Sequence, residues 1–432
     1  MRYRRPRGCY DLVCGNQKCA VDKGEPVASA KLRRTLFWSA IGAFAYTYVV
    51  FPLVLLLRAA LFPRPHAGGG IMPTVTIVIA AHNEAANIRA KLVNLLSLDY
   101  PDDRLEILIA SDGSDDGTDE IVRSFQERGV RLLTLPRVGK AAALNAGVAA
   151  AAGEILVFSD ANSIYAPDSL RALVRPFADA TVGGVAGDQR YVDADDADAV
   201  VSGERSYWDL ERRLKIAESL SGNVISATGA IYAIRRSLVQ PIPGGVTDDF
   251  FTSTGVIAQG RRLVFAPSAV AYEPVSKTAE IELGRKVRVM TRGLRAVLAR
   301  RELLDPRRHG FYSLQLFTHK VLRRTMVFPL LGLAVTSPLL WRRGAFYRAA
   351  TVAQVAVYGL GAAGTLLAGR PVARRKALAL PAFFTLVNLA SLRAVSNVVR
   401  GRSIERWEPR RPEATAHEGV PVGRTTAPSA GS

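Results

Sequence analysis

Cysteine is scarce in this chain of 432 residues, and all three, Cys9, Cys14 and Cys19, lie within the first 20. No histidine lies near them to complete a set of four ligands, and their spacing differs from the paired C-x2-C arrangement of zinc sites. The sequence therefore argues against a metal centre in this segment.

Negative charge is also in short supply. Asp and Glu number 38 against 57 Lys and Arg, which gives a formal net charge of +19. The chain nevertheless lacks the zinc-finger, helix-turn-helix and aromatic RNA-binding patterns that accompany nucleic-acid binding. We therefore expect no nucleic-acid partner, and the positive charge needs another explanation.

Four stretches of the chain lack charged side chains altogether: residues 36–57, 325–341, 349–369 and 377–392. The longest two are sufficient to cross about 30 Å of hydrocarbon as helices, while the other two are shorter and contain prolines. These runs predict a transmembrane anchor at 36–62 and a C-terminal membrane region at 325–399 with about three segments. Because Arg and Lys collect beside membrane spans, membrane lipids explain the basic composition.

The region between the membrane segments, residues 73–310, alternates strand-like and helix-like patterns. The run TVTIVIAA at 74–81 has the continuous apolar character of a strand buried on both faces, and HNEAANIRAKLVNLLSL follows with helical spacing. Three further strands, RLEILIAS, VRLLTL and GEILVFSD, alternate with helical stretches. This alternation predicts an α/β domain with a parallel sheet covered by helices.

Two aspartates end strands of this sheet, Asp112 on the second and Asp160 on the fourth. Ligands of open α/β sheets bind beyond the carboxyl ends of the strands, so both residues face one ligand. A nucleotide carried with a divalent metal fits two carboxylates, although Asp112 and Asp115 could instead cap the following turn and helix. A nicotinamide cofactor is excluded because the turn after the first strand has none of the glycines of a G-x-G-x-x-G turn.

Five fragments, IVIAAHNEAANI, IASDGSDDGT, GKAAALNAG, VFSDAN and GVTDDF, follow the order and spacing of the family 2 glycosyltransferases. Over about residues 73–300 the chain resembles the membrane-embedded branch of that family, which includes cellulose and hyaluronan synthases. The resemblance implies a GT-A fold, a Rossmann-like nucleotide-binding domain, with transmembrane helices at both ends. It also implies a nucleotide-diphosphate sugar as donor.

The resemblance assigns substrate-binding roles along this domain. It implies that Asp112 binds the base or ribose, that Ala81 and Glu84 line the nucleotide pocket, and that Lys140 lies on the nucleotide side. A carboxylate accepts charge-assisted hydrogen bonds from ribose or base donors, which agrees with the role of Asp112. Gly229 in SATGAIYAIRR permits close approach of the acceptor, while Arg235 and Arg236 are interpreted as surface residues.

Asp160 and Asn162 stand where the family has its metal-binding D-x-D motif. Mg²⁺ and Mn²⁺ prefer hard oxygen ligands and bridge carboxylates to phosphates. Because Asn162 brings no charge, the resemblance implies a metal held mainly by Asp160 and the donor diphosphate, and only weakly without the donor.

In the triplet TDD, the resemblance implies that Asp249 is the general base for single displacement with inversion. Asp248 belongs to the same substrate site and could also cap the following helix after an N-cap Thr247.

The stretch RKVRVMTRGLRAVLAR predicts an amphipathic helix over 285–300. One face would carry Arg285, Arg288, Arg292 and Arg295, and the other Val287, Met290, Leu294 and Val297. It is typical of an interfacial helix. It also stands at the family's Q-x-x-R-W motif, where Arg288 keeps the arginine that contacts the diphosphate, but Arg285 and Val289 replace the glutamine and tryptophan.

Together these features predict a multi-pass protein of the plasma (inner) membrane with a cytoplasmic catalytic domain, preceded by a basic segment 1–35 and followed by a disordered tail 400–432. The nine Lys and Arg of residues 1–35 oppose an outside N-terminus. Two explanations stay open: the first 25 or so residues are absent from the product, or the anchor is a re-entrant hairpin through Pro52.

The acceptor is expected to be a lipid-linked sugar or other membrane-proximal glycan receiving one or a few sugars. The alternatives are a processive polysaccharide synthase with export and a non-catalytic membrane sensor of sugar nucleotides. The missing tryptophan at Val289 favours short products, because valine offers no ring on which an acceptor sugar can stack.

Overall fold

A computed structural model describes residues 27–192, 211–274 and 279–402. The three cysteines, most of the basic segment 1–35 and nearly all of the tail 400–432 lie outside the described residues. The predictions made for those parts of the chain stay predictions.

The core of the structure is one sheet of eight strands. They are β1 (Val75–Ala81), β2 (Leu105–Asp112), β3 (Val130–Leu135), β4 (Ile155–Phe158), β5 (Ile164–Tyr165), β6 (Val182–Val192), β7 (Tyr232–Arg235) and β8 (Arg262–Pro274). Their order is β3-β2-β1-β4-β7-β6-β8-β5. The parallel pairing predicted for the first four strands is present, with β1 between β2 and β4.

The second half of the sheet is mixed, which corrects the prediction of a parallel sheet. Strand β7 runs antiparallel to both β4 and β6, while β6 and β8 are parallel. A buried strand is apolar along its whole length whichever way it runs, so the hydrophobic pattern does not report strand direction.

Helices cover both faces of the sheet. They include α3 (Ala85–Leu95), α4 (Thr118–Arg123), α5 (Lys140–Ala150), α6 (Ser169–Val174), α7 (211–220) and α8 (Asp248–Ala258). All seven residues of β1 are buried. Ile77 and Ile79 point into one apolar cluster and Val78 and Ala80 into the other, as the alternation of side chains along a strand requires.

The N-terminal apolar run forms one continuous helix. Helix α1 (Val27–Ala45) passes through a π-helical turn (Tyr46–Val50) into α2 (Phe51–Leu61). The re-entrant hairpin through Pro52 is therefore wrong. Proline lacks the N–H that an α-helix needs at that position, and the widened turn immediately before it keeps the helix unbroken.

The C-terminal apolar runs are also helical. Helices α10 (Pro306–His309), α11 (Phe311–Leu316), a π-helical turn (Phe317–Leu322) and α12 (Arg323–Thr325) lead into α13 (Val327–Leu339), followed by α14 (Ala345–Leu366) and α15 (Lys376–Val399). Three helical stretches in the described residues are long and apolar enough to cross a membrane, Ala30–Leu61, α14 and α15, whereas α13 is shorter.

Helix α9 (Ala279–Ala299) contains the predicted amphipathic segment and packs against α15. The Asn397 side chain donates to Thr291 Oγ1 at 3.4 Å across this contact. The predicted division into two faces is partly wrong, because Arg292, which belongs to the predicted arginine face, is buried. Contacts on two sides of α9 decide which residues are covered, and sequence periodicity does not register those contacts.

Candidate active site

Asp112 lies at the carboxyl end of β2, and its carboxylate holds the loop that precedes α5. Oδ1 accepts hydrogen bonds from the backbone N–H groups of Val138 (2.6 Å) and Gly139 (2.8 Å), and Oδ2 accepts from Arg137 Nη1 (2.6 Å). Its side chain is only 2% exposed. A direct contact with the base or ribose therefore requires the Arg137 loop to move, and that role stays a prediction.

The acidic residues after Asp112 form hydrogen bonds that connect the N-termini of α3 and α4. Asp116 Oδ2 accepts from the backbone N–H of Ala85 at 2.9 Å, and Oδ1 accepts from that of Thr118 at 3.0 Å. Asp115 Oδ1 accepts from Asn83 Nδ2. The interpretation of this cluster as turn and helix caps fits Asp116 better than Asp115.

Ala81 and Glu84, the predicted lining of the nucleotide pocket, flank the same turn. Ala81 ends β1 beside Ser111 of β2, and the backbone N–H of Glu84 donates to Thr118 Oγ1 at 2.9 Å. Both residues are buried. The structure places them at the carboxyl edge of the sheet with Asp112, where their ligand contacts stay predictions.

The centre of the site is a lysine between two aspartates. Lys140, the first residue of α5, places Nζ 2.8 Å from Asp160 Oδ1 and 3.0 Å from Asp248 Oδ2. Burial disfavours the charged ammonium, but the two carboxylates outweigh it and raise the pKa of Lys140 well above its usual value. Lys140 therefore joins the β4 end to the start of α8, two segments 88 positions apart in the sequence.

Gly229 provides the space beside Asp160. A Cβ at position 229 would lie 2.7 Å from Asp160 Oδ2, so any larger residue would displace this carboxylate. The close approach that we predicted for an acceptor at Gly229 is thus made by Asp160 itself.

The oxygen donors at the end of β4 fit a hard divalent cation. Asp160 supplies a carboxylate and Asn162, in the turn after β4, an amide oxygen, and Gly229 leaves room beside Asp160. No group of three or more His, Cys, Asp or Glu side chains placed to hold a metal occurs within residues 27–192, 211–274 and 279–402. The diphosphate would therefore have to complete the coordination, as the Asn162 substitution led us to expect.

Lys91 holds the turn after β4 in place through hydrogen bonds. It was not among the residues predicted from the sequence. It is fully buried, and Nζ donates to Ser159 Oγ at 2.8 Å and to the Ser163 carbonyl at 2.6 Å, on either side of Asp160 and Asn162. Burial lowers the pKa of Lys91 to about 7, although Asp160 opposes that change. The signal in the sequence that could have identified Lys91 was a lysine on the otherwise apolar face of α3.

The TDD triplet begins α8, but its capping differs from our prediction. The Thr247 side chain makes no cap hydrogen bond, and Asp248 pairs with Lys140 instead of capping the helix. Asp249 Oδ1 accepts from the N–H of Phe250 at 2.7 Å. Asp248 is thus part of the charged centre of the site, and Asp249 lies next to it.

The surroundings of Asp249, the predicted general base, raise its pKa. Burial, followed by the negative charge of Asp248, raises its pKa to about 6, while Lys320 and Lys140 act in the opposite direction. A carboxylate with a raised pKa is a stronger proton acceptor than an ordinary aspartate and is still ionised at neutral pH.

Two arginines of α9 occupy different positions relative to the triplet. Arg292 Nε donates to the carbonyl of Val246, directly before Thr247, at 3.0 Å. Arg288, the predicted diphosphate contact, is one turn earlier, where burial and then the charges of Arg292 and Arg285 lower its pKa. The structure thus brings α9 against the loop that precedes α8, and the diphosphate contact of Arg288 stays a prediction.

Arg235 and Arg236 lie away from this site. Arg235 donates to the carbonyls of Val182 and Phe177, and Arg236 to that of Ala151. They are thus engaged in holding backbone segments.

Residues 76–242 match the sequence model of glycosyl transferase family 2. The chain carries a family 2 glycosyltransferase domain. The chain is 28% identical over 226 residues to the probable glycosyltransferase YdaM of Bacillus subtilis (strain 168), covering 49% of this chain and 53% of that protein. It is 26% identical over 229 residues to the poly-beta-1,6-N-acetyl-D-glucosamine synthase of Staphylococcus aureus (strain COL), covering 51% and 55%.

These matches span about half the length of the curated relatives. Among solved structures, the chain is similar to the mannosyltransferase PcManGT of Pyrobaculum calidifontis in complex with GDP-Man and Mn²⁺. The TM-score is 0.64 at 25% identity, covering 85% of this chain and 100% of the mannosyltransferase chain. The predicted family and GT-A fold are confirmed.

Proposed function

We propose that the protein is an inverting glycosyltransferase that moves a sugar from a nucleotide-diphosphate sugar to a membrane-proximal acceptor at the cytoplasmic face. The observation that carries this proposal is the cluster of Asp160, Lys140 and Asp248 at the carboxyl edge of the sheet, with Asp249 beside it. The similarity to a mannosyltransferase that binds GDP-Man and Mn²⁺ supports it.

In the proposed reaction Asp249 accepts the proton of an acceptor hydroxyl while the hydroxyl oxygen bonds to the anomeric carbon of the donor. The bond from that carbon to the diphosphate oxygen breaks on the opposite face, and the nucleoside diphosphate leaves with the electron pair. One displacement of this kind inverts the anomeric configuration, and a positioned base contributes about 10²- to 10⁴-fold.

Asp160 and Asn162 are the residues that would hold a Mg²⁺ or Mn²⁺ ion, which when bound offsets negative charge on the diphosphate. Lys140 is positioned to contact the same oxygens, because it already lies between Asp160 and Asp248. A phosphate group of the donor would replace one of these two carboxylates as a partner of Lys140.

The acid limb of the pH profile provides a test of the base. Because the raised pKa of Asp249 is about 6, kcat/KM for transfer is expected to be constant above pH 7 and to fall about tenfold per unit below pH 6. In Asp248→Asn the negative charge beside Asp249 is absent, which lowers the pKa of Asp249. The fall in kcat/KM is therefore expected at lower pH than in the wild type. An unchanged limb in that variant would assign it to another group.

The proposed topology places the catalytic domain in the cytoplasm and the long apolar helices in the plasma membrane. Three such helices and exposed apolar side chains, such as Leu57, Val355 and Leu380, support membrane association. Sugar nucleotides are made in the cytoplasm, so the donor site has to face that side.

A screen of nucleotide sugars that detects released nucleoside diphosphate tests the proposed activity. We expect the purified full chain in nanodiscs to use one donor, or a few donors with the same nucleotide. No release from any donor in the presence of membrane lipids and Mn²⁺ would contradict enzymatic activity and favour the non-catalytic sensor.

Processive polymer synthesis is the second candidate, favoured by the similarity to a poly-beta-1,6-N-acetyl-D-glucosamine synthase. Val289, at the position of the family's tryptophan, is 45% exposed and has no aromatic ring. Loss of a stacking contact weakens acceptor retention by about 0.5–1.5 kcal/mol, so the chain would leave sooner.

The size of the product separates these two candidates. Membranes that contain the protein and radiolabelled donor are expected to form products of one or a few sugars. High-molecular-weight polysaccharide at low turnover, with no short intermediates, would establish the polymerase instead. A donor that is hydrolysed without any transfer would show that the acceptor is missing from the membranes.

A further inference from the structure

Two cations approach Asp249 from the segment between α11 and α13, and no predicted role involves them. Lys320 lies in the π-helical turn and Arg324 in α12, four residues later, so they project from neighbouring positions on one side of the helix. Asp249 favours the charged form of both residues, and Lys320 in turn lowers the pKa of Asp249. The Lys320 ammonium also lies 5.4 Å from the ring centre of Phe250.

Neither cation forms a side-chain ion pair within 4 Å in the part of the chain that the structure describes. Nη1 of Arg324 is buried and makes no hydrogen bond there. The adjacent Arg323, by contrast, pairs with Glu211 at 3.3 Å. Burial lowers the pKa of Lys320 to about 8 and that of Arg324 to about 10. Among the described residues, Asp249 is the one carboxylate that acts on both partly buried cations, so an anion bound beside them would add a favourable interaction.

Helix α9 has no side chain at Gly293, and Arg324 contacts the helix at this position. A Cβ on Gly293 would overlap Nη1 of Arg324, so the guanidinium packs against α9 where there is no side chain. One turn before Gly293 on the same helix is Val289, which faces solvent. A side chain at 293 would therefore displace the guanidinium of Arg324.

The two sides of the site differ in the groups that they present. Lys140 is engaged by Asp160 and Asp248, where the donor phosphates are proposed to bind. Lys320 and Arg324 approach from the side of Asp249, the residue that contacts the acceptor hydroxyl. Arg324 also precedes the apolar helix α13, which begins at Val327, by three positions.

We propose that Lys320 and Arg324 bind a phosphate group of the acceptor, and that the acceptor is a phosphate-bearing membrane lipid with its hydroxyl at Asp249. This inference rests on the proposed function, since it deepens the acceptor site of the same enzyme. The alternative ligand of Lys320 and Arg324 is the diphosphate of the donor, which is also a phosphate anion. Binding measurements with separate probes distinguish the two.

The test uses the full chain in neutral phosphatidylcholine nanodiscs. Dodecyl phosphate is the acceptor probe, dodecyl β-glucoside is its uncharged counterpart, and inorganic phosphate reports anion binding without the lipid chain. Affinities for these probes and for UDP and GDP with Mn²⁺ are compared in Lys320→Met/Arg324→Met and in Gly293→Ala. Arg342→Met/Arg343→Met removes two exposed charges after α13 and serves as the matched control.

We expect wild type and control to bind dodecyl phosphate more tightly than inorganic phosphate or dodecyl β-glucoside. The Lys320/Arg324 double variant should lose about 10- to 100-fold of this affinity, and Gly293→Ala a smaller factor, because each removes or displaces charge-assisted hydrogen bonds. Nucleotide affinity should change less than about threefold, which also shows that the variants are folded.

Equal binding of dodecyl phosphate by wild type and the double variant would overturn the inference. A loss of nucleotide affinity with unchanged dodecyl phosphate binding would also overturn it, by assigning the pair to the donor. The proposed function is tested separately by nucleotide release from the donor in the wild type. Absence of that release, with dodecyl phosphate still bound through Lys320 and Arg324, would reject the enzyme and keep the anion site.

Discussion

Asp249→Asn is expected to abolish sugar transfer, with a loss of about 10²- to 10⁴-fold in kcat, and to leave donor affinity within about threefold. Asparagine has nearly the same shape as aspartate but cannot accept the acceptor proton. Its amide can still occupy the position beside the N–H of Phe250, so α8 should stay intact. Radiolabelled transfer and nucleotide binding, measured on the same preparation, give the two quantities.

The matched variant is Asp248→Asn, one residue away. Because Asp248 pairs with Lys140 at 3.0 Å, we expect this change to weaken donor binding as well as turnover. A fall in donor affinity for Asp248→Asn, together with an unchanged affinity for Asp249→Asn, would separate the two roles. Wild-type turnover in Asp249→Asn would transfer the function of base to Asp248.

Removal of divalent cations is expected to have the second large effect. Excess EDTA should stop transfer, and Mg²⁺ or Mn²⁺ should restore it, because the cation that Asp160 and Asn162 would hold offsets the negative charge of the departing diphosphate. The rate of transfer at increasing Mn²⁺ concentration measures how tightly the ion is held. Full activity in excess EDTA would reject the proposed metal site.

Position 162 offers a matched variant for the metal. Asn162→Asp restores the second carboxylate of a D-x-D motif and is expected to lower the Mn²⁺ concentration for half-maximal activity. Asp160→Asn should raise it, since it removes the charged ligand. Opposite effects of two substitutions in one turn would be difficult to explain by a change in folding.

Local features of the sequence were sufficient to predict the first half of the domain. The apolar runs of β1, β2 and β4 and the helical spacing after β1 depend only on neighbouring residues, and the structure has these elements within a few positions of the predicted bounds. Asp112 and Asp160 were predicted at one edge of the sheet because parallel strands bring their carboxyl ends together. That conclusion required no knowledge of side-chain contacts.

The hydrogen-bond partners of those residues could not be predicted in this way. Asp112 is occupied by the Arg137 loop, Gly229 accommodates Asp160, and Asp248 binds Lys140 instead of capping its own helix. Each partner comes from a different segment of the chain. A short carboxylate fits a helix cap, a turn and an ion pair equally well, and only the distances in the folded chain decide between them.

The sequence by itself therefore determined the family, the α/β domain and the residues on which catalysis is proposed to depend, since short-range patterns and motifs report these directly. The tertiary structure alone decided which charges meet. Lys140 lies 20 positions from Asp160 and 108 from Asp248 in the sequence, and Lys320 and Arg324 lie 71 and 75 positions from Asp249. Electrostatic interactions depend on separation in space and on burial, and neither quantity can be read from the order of residues.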